Sequence, residues 1–348
     1  MMTTRLPATD APVSVLTLAR GRAAHLHNVV LGLSHQTRPP QELIIGVMQD
    51  EPYTDLPPTS FPVRQVMIGG DNLPLARARN RVATEASGEM LIFLDVDCIP
   101  APRLVADYVG QMAEAEGLHM GEVMYLPDGA AREGWTYGTF DDVAVRHSDR
   151  QGPPEEARRA CNDYRCFWSL NFAMSRADWD RSGGFDERFE GYGGEDTDFG
   201  RTLSEIGLPI WWVRGAKVFH QYHDHCMPPI HHVASVIRNS ELFASKWGHR
   251  TMEHWLNAFR MMGLIENCRT GLRILRKPDE ADFALCRQGK DMPYAATGRV
   301  IRILEDRQRL QQGLAPSDAP MAERLARMSR AEEDLLFPAH AAASVAAE

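Results

Sequence analysis

Two periods of hydrophobicity alternate along the first third of the chain. Short unbroken apolar runs fit strands buried on both faces. Between them apolar residues recur every three or four positions, which fits helices. Val13 to Leu18 is the first run; Leu26, Val29, Val30 and Leu33 then mark one helical face, stopped by Arg38-Pro39-Pro40. Leu43 to Met48 is the next run, with Asp50 just past its end, and Val63 to Ile68 is a third. Asp71 and Asn72 offer N-caps, Pro74 suits a first helical turn, and Ser87-Gly88 closes that helix. The run Met90 to Leu94 follows and ends at Asp95. Strands alternating with helices predict an α/β fold with a doubly wound, mainly parallel sheet. Ligands of such sheets bind beyond the carboxyl ends of the strands. Here those tips carry Ala19-Arg20, Asp50 and Asp95-Val96-Asp97.

The rhythm then loosens. Leu126 to Ala160 is rich in Gly, Pro, Asp and Arg and reads as loops. Phe167 to Met174 is apolar and aromatic, and Trp179 and Gly183-Gly184-Phe185 lead to a helix marked by Phe199, Leu203 and Ile206. Gly207-Leu208-Pro209 stops it before two further strands, Ile210 to Val213 and Ala216 to Phe219. A histidine-rich stretch, His220 to His232, precedes helical patterns over Val233 to Trp247 and Met252 to Met262. Beyond Arg269 charge increases, Val300, Ile303 and Leu304 fit an amphipathic helix, and Ala339 to Glu348 reads as a frayed end. These shifts divide the chain into residues 1–120, 121–268 and a helical tail, 269–348.

Bulk properties narrow the function. The chain has 348 residues, 44% hydrophobic and 24% charged, as ordinary globular proteins do. A formal charge of −9 argues against nucleic acid as the main partner. The start lacks a signal-type apolar core, and no run approaches the roughly 18 apolar residues of a membrane span. The expected location is therefore cytoplasmic, with access to an acceptor at the inner membrane face. The six cysteines are scattered without CxxC spacing and are read as reduced.

The chemistry concentrates in two acidic clusters. Gly191-Tyr192-Gly193-Gly194-Glu195-Asp196-Thr197-Asp198 brings glycines and carboxylates together where a helix begins. Acidic residues do favour a first helical turn. That does not explain three neighbouring glycines, which imply close approach of a ligand or another chain. Asp95-Val96-Asp97 is the second cluster. Residues two apart on a strand share a face, and two carboxylates there suit a hard divalent cation and, through it, phosphate oxygens. The plainer reading is a solvated acidic turn.

Cys226 amid the histidines invites a structural zinc reading, but the spacing matches no closed Cys/His pattern. One histidine at the strand end, completing a divalent site begun by Asp97, is more economical. Arg77 and Arg79 lie two apart on a helix, so only one can face a given ligand. Trp168, Trp179, Trp211 and Trp212 read as core, whereas Tyr192, flanked by glycines, reads as accessible.

Taken in order, Val15 to Arg20, Leu75-Ala76-Arg77-Ala78-Arg79-Asn80 and Phe93-Leu94-Asp95-Val96-Asp97 resemble the nucleotide-binding half of family-two glycosyltransferases of the GT-A fold. Gly183 to Phe189 followed by Gly191 to Asp198 resembles the C-terminal part of β-1,4-galactosyltransferases and bacterial relatives. The resemblance covers about residues 12–262 and leaves the tail unmatched. It implies a GT-A fold with a nucleotide-sugar-binding half, an acceptor-binding subdomain and a helical tail. It further implies that Asp95 contacts ribose or metal and that Asp97 binds Mn²⁺ or Mg²⁺ holding the diphosphate. Ala19-Arg20, Asp50 and Arg79 would cradle the nucleotide. Asp196 would be the general base, with Glu195 and Gly194 orienting the sugars. Tyr192 stands where the galactosyltransferases carry tryptophan, for acceptor stacking. His220 matches their metal-binding histidine, with His223 as rival.

The function expected is an inverting, metal-dependent transfer of a hexose or N-acetylhexosamine from a nucleotide sugar, UDP-linked by preference. The acceptor hydroxyl would belong to a glycan, a lipid-linked molecule or a small molecule. With Asp196 taking its proton, the acceptor hydroxyl would attack opposite the leaving diphosphate and invert the anomeric centre. Gln221 to His232 is the lid candidate. The tail has three candidate roles: homo-oligomerisation, membrane-surface docking or partner binding. Two rivals remain: a non-catalytic sugar- or nucleotide-binding protein on the same fold, and a nucleotidyltransferase. The latter lacks support in Leu18-Ala19-Arg20-Gly21-Arg22, which is not the expected glycine-rich basic loop.

Overall fold

The computed structural model describes residues 7–69, 73–269, 271–292 and 294–315. The caps expected at Asp71 and Asn72 and the alanine-rich end lie outside the described residues. The chain forms two compact units, one from Met1–Gly191, Glu195–His223 and Lys290–Tyr294, the other from Tyr192–Gly194, Asp224–Gly289 and Ala295–Glu348.

In the first unit the expected rhythm appears as β1 (Val13–Ala19), α1 (Ala23–Ser34), β2 (Glu42–Val47), β3 (Val63–Met67), α2 (Leu75–Glu85) and β4 (Met90–Asp95). After these come β5 (Cys98–Pro100), α3 (Leu104–Glu114), β6 (Leu118–Met120) and β7 (Val123–Tyr125). Then follow α4 (Tyr137–Val143), β8 (Val145–Arg146), β9 (Arg158–Ala160), β10 (Asn171–Ser175), α5 (Arg176–Ser182) and α6 (Glu195–Glu205), and last β11 (Ile210–Val213) and β12 (Val218–His220). Eight strands make one sheet in the order β3-β2-β1-β4-β10-β6-β11-β9. The pairs β3–β2–β1–β4 are parallel, and β10 runs antiparallel between β4 and β6. β1 and β2 are buried throughout because helices cover both faces. Val15, Ile45 and Ile92 meet Leu26 and Leu33 of α1 and Tyr108 of α3 on one side. Leu16, Ile44 and Phe93 meet Val82 of α2, Trp179 of α5 and Phe199 of α6 on the other. This is the mainly parallel, doubly wound α/β architecture anticipated.

Three details depart from the pattern reading. Leu126 to Ala160 is not loop alone: it holds α4, started by a capping box at Thr136, and the short strands β8 and β9. Strands of two or three residues are too short to display a period. α2 stops at Glu85, and Ser87 instead donates its N–H and hydroxyl to Glu42. The strand placed at Ala216 to Phe219 is shifted, because Ala216 occupies a left-handed turn (φ 46°) and pairing begins at Val218.

A smaller sheet, β5-β12-β7-β8, carries the edge of the site. The second unit comprises α7 (Val233–Trp247), α8 (Glu253–Met261), the hairpin β13 (Ile265–Cys268) and β14 (Gly271–Ile274), α9 (Glu280–Cys286) and α10 (Thr297–Gln311). Val236, Leu256, Phe259, Cys286, Val300 and Leu304 form its core. Among the described residues no helix is long and apolar enough to cross a membrane.

Candidate active site

Pairing register explains how residues far apart in sequence meet. β12 lies antiparallel to β5 with His220 opposite Cys98, and the Gln221 N–H donates to the Asp97 carbonyl at 2.7 Å. Asp97 and His220 are thereby brought together. His223 follows on a segment held to α1: Asn28 donates to the Gln221 side chain at 2.8 Å, and Gln221 donates to the His25 carbonyl at 3.1 Å. One ligand atom from each of Asp97, His220 and His223 lies within 4.8 Å of the others. Both rival histidines therefore belong to one cluster. His223 Nε2 is 3.4 Å from Asp97 Oδ2, and His220 is backed by the Tyr125 ring at 4.7 Å.

Asp95 is placed differently. β4 ends at Asp95, and Val96-Asp97 form a turn into β5, so the alternate-face argument does not reach Asp97. Asp95 lies outside the Asp97–His220–His223 group and 3.9 Å from Arg79 Nη2. Arg79 projects from the buried face of α2 shared by Ala76, Val82 and Ala83, whereas Arg77 is exposed. Its Nη1 donates to Glu195 Oε1 at 3.1 Å, and its guanidinium lies 5.0 Å from the Phe185 ring centre. Arg79 thus joins the two acidic clusters through buried charge.

The fields around these carboxyls differ. Burial pushes Asp95 up to about 6, with Asp97 and Glu195 adding repulsion against the pull of Arg79 and Arg22. Burial would raise Asp97 too. Around it His220, His223, Arg22 and His25 outweigh burial and hold the carboxyl below its ordinary value. Asp196, in the first turn of α6, is pushed up to about 7 by burial and then by Glu195, against Arg79. One carboxylate is stabilised as an anion and another is poised to exchange a proton near neutrality.

A divalent cation fits the first group. Asp97 Oδ1 is buried without a hydrogen-bond partner among the described residues, and one carboxylate with two imidazoles is a set that Mn²⁺ accepts. Cys226 joins no such group among the described residues, which leaves the zinc reading without ligands.

The remaining expected residues are spread out. Ala19 is buried at the end of β1, and Arg20 and Asp50 are exposed. Gly193 and Gly194 both sit at φ 92°, a conformation open to glycine. In the second unit Tyr192 stacks on His232 (4.9 Å, 14°) and on Trp255 (5.9 Å, 28°), and Gly193 accepts a hydrogen bond from Asn239. Sequence reasoning missed Arg22, which forms an ion pair with Asp97, and His25, 3.9 Å from it. The visible signal was a second arginine two positions after Arg20.

Two family models match this chain. Glycosyl transferase family 2 covers residues 14–178, and the N-terminal domain of galactosyltransferase covers 156–224, the segment with the Gly183–Asp198 motifs. Residues 14–178 are thus similar to glycosyl transferase family 2. Relatives of the chain include a validoxylamine A glucosyltransferase of Streptomyces hygroscopicus subsp. limoneus. That protein is 26% identical over 271 residues, covering 67% of this chain and 56% of the relative. A hyaluronan synthase of Pasteurella multocida is 25% identical over 238 residues, covering 60% of this chain and 24% of that protein. The chain thus spans about half the length of the first relative and about a quarter of the second. A crystal structure of GalNAc-T7 with UDP, GalNAc and Mn²⁺ aligns over 72% of this chain and 51% of that one, at 15% identity and a TM-score of 0.48.

Proposed function

We propose that this protein is a metal-dependent, inverting glycosyltransferase. It would move a hexose or N-acetylhexosamine from a nucleotide sugar, UDP-linked, to an acceptor hydroxyl. One observation carries the reading. A cation-ready Asp97–His220–His223 group and a proton-ready Asp196 occupy one unit, linked through Asp95, Arg79 and Glu195. A divalent cation bound by Asp97, His220 and His223 would supply positive charge to the departing diphosphate. Asp196 takes the acceptor proton, and its position near neutrality suits that task. Arg79 holds Glu195 and so fixes the first turn of α6 that presents Asp196. Ala19-Arg20 and Asp50 are assigned to the nucleotide. The ring stack of Tyr192, His232 and Trp255 is assigned to a sugar face.

The named activities of the relatives, glucosyl transfer and hyaluronan synthesis, favour a sugar donor and a sugar-like acceptor. A panel of UDP-sugars with Mn²⁺ and a mixed acceptor library tests the proposal. Release of UDP coupled to acceptor mass gain is expected. Pyrophosphate release would mean nucleotidyl transfer, and tight UDP-sugar binding without turnover would mean a binding protein.

A further inference from the structure

Arg22 reaches the Asp97 carboxylate from an unusual backbone position. Gly21 (φ 59°) and Arg22 (φ 51°) are both left-handed, and they turn the chain from β1 into α1. Arg22 Nη1 pairs with Asp97 Oδ2, the same oxygen that lies 3.4 Å from His223 Nε2. Its Nη2 is 3.3 Å from His223 Nδ1. The guanidinium therefore touches two of the three residues of the cation-ready group. The Arg22 side chain is 37% exposed while that of Asp97 is 7% exposed, so a long arm enters from solvent to meet a buried anion.

A buried carboxylate needs a compensating cation. A divalent ion and a guanidinium on the same carboxylate would repel strongly at that depth. Arg22 is the N-cap residue of α1, whose first turn has no side-chain cap, so an arginine and uncapped leading amides stand at the start of that helix. Guanidinium groups bind diphosphate oxygens bidentately.

We propose that Arg22 is a resident counter-cation of Asp97 that passes to the diphosphate of the donor when the divalent cation enters. This rests on the metal-dependent nucleotide-sugar reading given above. The ion pair Arg22–Asp97 is exchanged for Arg22–diphosphate, and the carboxylate is exchanged from guanidinium to metal. The order of binding follows: metal and nucleotide help each other, because each removes what opposes the other.

Titration calorimetry on the full chain tests this with MnCl₂ alone and with UDP at saturating Mn²⁺. Arg22→Gln removes the charge, and Arg22→Lys keeps it without the fork. In Arg22→Gln, Mn²⁺ alone should bind about tenfold more tightly and UDP with Mn²⁺ about tenfold more weakly, the scale of one charge-assisted contact. Arg22→Lys should fall between. Unchanged Mn²⁺ affinity in Arg22→Gln, or weakening of both ligands together, overturns the proposal and leaves the metal site standing. Wild-type protein that binds no Mn²⁺ with or without UDP overturns the metal reading itself.

Discussion

Replacing Asp196 with asparagine should stabilise the protein while stopping its chemistry. The Asp196 carboxyl is held at about 7 rather than the ordinary 3.8, by burial and by Glu195. That displacement from 3.8 to about 7 is worth about 4 kcal/mol at most. Asp196 is half-buried, so solvent screens part of that field and about 2 kcal/mol is expected. The sign follows from the raised value. Folding binds the proton more tightly, so this group's contribution is fully favourable below about pH 4 and is lost as pH rises through about 7. Wild type therefore carries the penalty at pH 8, and Asp196→Asn, an isosteric amide, does not. For a body of this size about 2 kcal/mol is about 4–8 °C in Tm. Thermal unfolding of both proteins at pH 5 and pH 8 reads it: a higher Tm for the variant at pH 8 and a much smaller gap at pH 5. Turnover should fall by about 10²–10⁴-fold with the base removed. A variant Tm at or below wild type at both pH values would refute the electrostatic reasoning. Near wild-type turnover would refute the base assignment.

In wild type kcat/KM should decline below about pH 7 as Asp196 takes up its proton, and a pH–rate profile flat from 5.5 to 8 would contradict that. Asp97→Ala should lower Mn²⁺ affinity by at least about a hundredfold by calorimetry, since it removes the anionic ligand from the group. Arg79→Met leaves Asp95 and Glu195 without their shared cation and should cost about 3–5 kcal/mol in denaturant unfolding at pH 8. Gly184→Ala should cost about 1–3 kcal/mol, because Gly184 sits at φ 75° and a Cβ there would lie 2.6 Å from Asn80 Oδ1.

Legibility differed with the kind of constraint. β1, β2 and β4 were readable because parallel strands covered on both faces must be continuously apolar, as Val13 to Leu18 is. β6, β7 and β9 were not, since three residues cannot show a period and His119 is polar yet fully buried between neighbouring strands. Asp97 and the histidines stood out as acidic and imidazole groups at strand ends. Their meeting depends on β5–β12 register, which a single sequence does not display. For Arg77 and Arg79 the spacing predicted that one faces inward, and the alanines at 76, 78 and 83 decide which by letting that side of α2 approach the sheet. Arg22 was hidden because two successive left-handed residues redirect its side chain.

The β5–β12 ladder also determines which length changes the protein tolerates. Phe219, the neighbour of His220, is buried beside Phe140 and Tyr137 on the opposite face of the small sheet. Inserting or deleting one residue at Gly215-Ala216 would exchange the two faces, sending an imidazole into an aromatic pocket and a phenyl ring to Asp97. Related chains should therefore differ freely in length after His223 and hardly at all across the few residues leading into β12.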